Sequence, residues 1–179
     1  MIKKEKAQAL IDSCISKMND EDKIIYRPIA EYAAELGYTP KQIKTAGGVS
    51  EELVFTKSRI KRTLLRIHPT KQATPTKILQ TGKAGFKLFF CATPQYSEPF
   101  QEGIKRVIEA YDGKYTGCSR CGRCKGESEG YTYVYPDGKM VFRCGGVLIA
   151  LHTISKENIE EIRTMMKTQD DFWMKQTEI

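Results

Sequence analysis

Apolar residues recur at three- and four-residue spacing from Ile2 to Met18, where Ala7, Leu10, Ile11, Cys14, Ile15 and Met18 fall on one stripe. That period predicts an amphipathic helix, with Cys14 a small hydrophobe on its core side. A second helix is expected from Pro28 to Leu36, because proline suits a first turn and Gly37 the position just past the end. Residues 38–52 show no clear period and read as a connection. Lys61–Ile67 and Phe86–Ala92 are the better strand candidates. They are joined through a Pro- and Thr-rich loop and a turn at Thr81-Gly-Lys-Ala-Gly85.

Helical spacing returns after Tyr96. Phe100, Ile104, Val107, Ile108 and Tyr111 share a face, Ser97 is placed to cap the start, and Asp112-Gly113 ends it. A hairpin follows: Tyr131–Tyr135, a turn at Pro136-Asp-Gly138, then Lys139–Arg143, with a further strand at Val147–Leu151. The last helix opens at Ser155, with Ile154 and Ile159 spaced as a hydrophobic staple and Ile162, Met165 and Met166 on its apolar side. Helices at both chain ends packed on an antiparallel sheet make an α+β fold. It is read as one domain over residues 1–179, with a metal-stapled Cys loop and hairpin at 115–150.

Chemistry enters at the cysteines. Cys118-Ser-Arg-Cys121-Gly-Arg-Cys124 sets three thiols at two-residue gaps, and Arg143-Cys144-Gly145-Gly146 brings a fourth. Thiols this close in sequence pair poorly with one another, because a disulfide needs particular Cα separations and Cβ directions. Four thiolates from a short loop and a hairpin end can instead complete a tetrahedron around one cation. Zn²⁺ is the first expectation: Cys118–Gly122 fits the tight turn of a zinc knuckle, and Arg120, Arg123, Lys125 and Arg143 offset the charge of the thiolates. The departure from a zinc ribbon is that the second half supplies one cysteine, not a pair.

A [4Fe-4S] cluster is the alternative. Cys-x-x-Cys-Gly-x-Cys matches the first three ligands of a bacterial ferredoxin cluster, but no Cys-Pro supplies the fourth. His152 offers an imidazole in place of one thiolate, whereas His68, next to Pro69, has no evident partner. Four thiolates leave no open position for water, so the site reads as structural. With two histidines and no paired-acid or nucleophile signature, no catalytic residue is expected.

Charge adds a second feature. Residues 41–91 hold eleven Lys/Arg and two acids, against six and seven in 1–40 and twelve and thirteen in 92–179. The whole basic excess therefore lies in the middle. If Arg62–Ile67 is a regular strand, Arg62, Leu64 and Arg66 share one face, and Lys57, Arg59 and Lys61 lie beside it. Lys77, Lys83 and Lys87 would extend the patch. Such a face suits nucleic acid or another polyanion through phosphate contacts, although Phe86, Phe89 and Phe90 read as core and leave no stacking platform.

No apolar run approaches a membrane span, and the Met-Ile-Lys-Lys start lacks the apolar core of a signal peptide. Clustered thiols without an export signal point to the reducing cytoplasm. The Cys loop, Gly130-Tyr-Thr-Tyr, Pro136-Asp-Gly-Lys and Arg143-Cys-Gly-Gly together resemble a family of small Cys-cluster proteins from anaerobic Firmicutes. That resemblance extends more weakly over most of the chain. It implies a single shared domain and a recurring pattern at Cys118, Cys121, Cys124 and Cys144, but no reaction.

Overall fold

Two N-terminal helices lead into the sheet. The structure, a computed structural model, describes residues 2–44, 51–73, 78–93, 95–111, 130–151 and 154–177. Helix α1 spans Ile2–Ile15, and its Ile11, Cys14 and Ile15 are buried in the core, as the apolar stripe requires. Helix α2 spans Asp20–Glu35 and begins well before the expected Pro28. Its cap is Asn19, whose side chain accepts from the Asp22 N–H at 2.8 Å, with three acids in the first turn to meet the helix dipole. Pro28 thus lies inside the helix. Its missing N–H leaves the Ile24 carbonyl without a helical donor on a side where Ile24 is exposed to water. Gly37, at φ +86°, ends the helix as expected.

The central sheet has strand order β1-β2-β3-β6-β9, every neighbour antiparallel. Its strands are β1 (Thr39–Lys44), β2 (Glu51–Lys57), β3 (Arg62–His68), β6 (Gly85–Leu88) and β9 (Ile149–Leu151). The first of these falls in the stretch read as a connection. Strand β1 is a polar edge strand carrying Pro40, the position where a sheet tolerates proline and where lysines discourage further pairing. Two small ribbons complete the strands: β4 (Lys71–Ala73) with β5 (Ile78–Gln80), and β7 (Tyr131–Val134) with β8 (Met140–Arg143).

Register sorts the sheet into two faces. Leu53, Ile67, Phe86 and Leu151 run across the strands in one row, and Phe55, Leu65, Leu88 and Ile149 in another. All eight are buried and join the apolar residues of the helices in one core. Helix α3 (Glu98–Tyr111) presses on β9 at Gly103, where a Cβ would come within 2.9 Å of Leu151 and 3.0 Å of Ile149. Helix α4 (Ile159–Gln176) follows a 3₁₀ turn at Lys156–Asn158 that Ser155 and Asn158 close as a capping box. Phe89, Phe90, Phe100, Tyr131 and Trp173 form an aromatic cluster, with ring centroids 5.0–5.9 Å apart, that joins the β7–β8 hairpin to α3 and α4. The fold is α+β, and no helix among the described residues is long and apolar enough to cross a membrane.

Candidate functional site

Of the four expected metal ligands, Cys144 alone lies among the described residues, directly after the β7–β8 hairpin. Its register pairs Tyr131 with Arg143, and Gly138, at φ +83°, makes the turn. The ladder ends at the Tyr131–Arg143 pair, so Gly130 immediately precedes it on one strand and Cys144 immediately follows it on the other. A Cβ at Gly130 would fall 1.9 Å from the Phe142 ring and 3.0 Å from the Arg143 carbonyl oxygen, so the close approach demands glycine. Cys144 is half-buried and Arg143 buried beside it. Cys118, Cys121 and Cys124 lie outside the described residues, as does His152. Among the described residues no group of three His, Cys, Asp or Glu side chains converges. Cys14 and Cys91 are core residues; burial, the dominant cause, pushes the Cys14 thiol up to about 12.

The basic residues of 57–66 do not form one surface. Between Phe55–Leu65 and Thr56–Thr63 the register skips Leu64, an extra residue in β3 that breaks the strict alternation. Arg62 therefore turns to the helical face, with its guanidinium 5.6 Å from the Trp173 ring, while Arg66 stays on the other. Lys57 also turns to α4. Its Nζ lies 2.5 Å from Asp170 Oδ1, which also accepts from the Tyr38 hydroxyl at 2.9 Å, and it stands 4.7 Å from the Tyr38 ring centroid. Burial and the Asp170 charge push the Tyr38 hydroxyl up, so it stays a donor. Arg59 and Lys61 alone of the five are exposed, on the β2–β3 turn, where Lys61 takes φ 52°.

The opposite face of the sheet holds a cluster that the sequence did not assemble. Lys41, Val54, Arg66, Lys87 and Ala150 lie in register across all five strands. In the next row Glu52 accepts from His68 Nε2 at 2.9 Å through Oε1 and from Arg66 Nη1 at 3.1 Å through Oε2. Glu52 and His68 are 5% and 1% exposed, too little for water to replace these contacts. Burial would raise the Glu52 carboxyl, but the His68 hydrogen bond and the nearby charges of His68, Arg66 and Lys87 outweigh it and hold the group below the usual carboxylate range. Lys87 is pulled down, first by burial and then by Arg66, with Glu52 opposing. His68 thus has a partner sixteen residues away, invisible to any local pattern. The signals available in the sequence were a charged residue in the apolar run Glu52-Leu-Val-Phe55 and a histidine on the adjacent strand.

Comparisons with protein-family models, with curated proteins and with solved structures give no match to this chain, so the resemblance to small Cys-cluster proteins rests on the sequence motifs alone.

Proposed function

We propose that the chain is a metal-binding protein in which Cys118, Cys121, Cys124 and Cys144 hold one Zn²⁺ as a structural four-thiolate site. The observation that carries this reading is the hairpin register, whose last pair, Tyr131–Arg143, is followed directly by Cys144 on one strand and preceded directly by Gly130 on the other. Gly130 follows Cys124 by six residues, and six residues of extended chain reach about 20 Å. The loop thiols therefore have ample chain to meet Cys144. Three sulfurs from one loop and one from a hairpin would fasten that loop to β8 without leaving a coordination position for substrate. A reducing cytoplasm, which keeps such thiols from oxidising, is the compartment that suits this chemistry. A [4Fe-4S] cluster on the same four cysteines, serving electron transfer or redox sensing, is the competing reading.

Two serine variants separate a metal ligand from a core thiol. Cys144→Ser is expected to abolish stoichiometric metal, while Cys14→Ser, which alters a buried thiol away from the hairpin, keeps it. Metal retained in full by Cys144→Ser would overturn the ligand set.

For the basic segment, contact with nucleic acid or another polyanion narrows to Arg59 and Lys61, because Lys57 and Arg66 are ion-paired to Asp170 and Glu52 and Arg62 lies over the Trp173 ring. Replacing both exposed residues with alanine is expected to lower retention on heparin at low salt. If the wild type is not retained, the polyanion reading falls.

A further inference from the structure

We propose that the open edge of β1 binds an acidic peptide segment in extended conformation, as an added antiparallel strand of the sheet. The inference is independent of the metal reading. Among the described residues β1 pairs with β2 on one side and with no strand on the other. The direction of its backbone groups can be traced across the sheet. The Phe89 N–H, just past β6, donates to the Leu64 carbonyl at 2.8 Å, so that carbonyl points toward β6. In a trans peptide the Leu65 N–H points the opposite way, toward β2. Phe55, the partner of Leu65, therefore spends its backbone groups on β3 and not on β1. Pro40, opposite Phe55, faces outward in consequence, which suits a residue with no N–H to give β2. Alternation carries that direction on to Gln42 and Lys44, whose backbone N–H and C=O groups have no backbone partner among the described residues.

Side chains select the occupant. Lys41 and Lys44 are exposed on an edge that holds no acid, and Ile43 between them is 43% exposed. A second copy of β1 would bring four lysines together, so charge disfavours self-association and favours a strand of opposite sign. A segment reading acid, apolar, any residue, acid fits when laid antiparallel. Its acids then face Lys44 and Lys41, its apolar residue faces Ile43, and its third residue exchanges backbone hydrogen bonds with Gln42.

The test is fluorescence anisotropy of the labelled peptide Thr-Thr-Glu-Val-Thr-Glu-Thr-Thr with the full-length protein, and saturable binding is expected. An N-methyl group on the threonine between valine and glutamate removes the N–H given to the Gln42 carbonyl and is expected to weaken binding about tenfold or more. The same group on the valine, whose N–H points away from β1, changes it less than about threefold. Gln42→Pro deletes an N–H that β2 does not use, so it keeps the fold and binds about three- to tenfold more weakly. Lys41→Glu is expected to lose affinity for this peptide and to gain it for the form with lysine in place of glutamate. No saturable binding, or equal losses from the two N-methyl groups, would overturn the proposal. Dimerisation of the protein that Gln42→Pro abolishes would assign the edge to a second copy and overturn it as well.

Discussion

Two adjacent aspartates on α4 each hold a lysine, and their environments predict very different costs of removal. Asp170 is buried: its side chain is 9% exposed, Lys57 is 13% exposed, and the same Oδ1 also accepts the Tyr38 hydroxyl. Asp171 pairs with Lys167 one turn back on the helix, where the side chains are 47% and 52% exposed. Asp170→Asn keeps the shape but leaves the Lys57 ammonium close to uncompensated, at a cost of roughly 3–5 kcal/mol for one partner of a buried pair. Asp171→Asn breaks an exposed i,i+4 pair worth about 0.3–0.5 kcal/mol. Urea unfolding resolves the two, because an m-value of about 2–3 kcal/mol/M turns the first cost into a midpoint shift of roughly 1–2.5 M. The shift for Asp171→Asn is expected to fall within about 0.3 M on the same scale. The contact joins residues 132 and 113 positions apart, so the loss would also uncouple α4 from the strands. Midpoints within experimental error of each other would refute the reasoning, since burial would then not decide what the pair contributes.

Two further variants probe the sheet face and the hairpin. Glu52 titrates below its ordinary value in the folded state, so its contribution is complete above the unfolded carboxylate range and is lost as pH falls through the lower folded value. Glu52→Gln is therefore expected to cost roughly 3 kcal/mol near neutrality and to show a shallower loss of stability between about pH 5 and 2. Curves for variant and wild type that run parallel through that range would contradict the assignment. Gly130→Ala forces a methyl group against Phe142 and is expected to destabilise by about 1–3 kcal/mol and to speed zinc loss to a chelator. An unchanged rate would mean that the hairpin does not present Cys144 to the metal.

Much of the fold was legible because single-face periodicity survives in α1, α3, α4 and the β7–β8 hairpin. Most of their buried residues are those of the apolar stripes, the buried polar Gln169, Asp170 and Arg143 being exceptions. What escaped was structure without an apolar signal. Strand β1 reads Thr-Pro-Lys-Gln-Ile-Lys and buries only Pro40, since an edge strand is selected for polarity. The start of α2 was hidden by giving Pro28 the weight of an N-terminus, when Asn19 and the three acids after it held the stronger capping signal. The basic face failed for a different reason. Alternation assigns Arg62 and Arg66 to one side, and the single extra residue at Leu64 reverses that between them. The pairing of Glu52 with His68 is long-range, so a strand read alone could not reveal it.

The central claim is a single four-thiolate zinc site, and the most direct measurement is elemental analysis with an absorption spectrum on protein purified without oxygen, for wild type and for Cys121→Ser. One zinc per chain with no visible band, lost in the variant, is the predicted result. Iron and sulfide with a broad band near ~400 nm would contradict it and make the cysteine loop a redox centre.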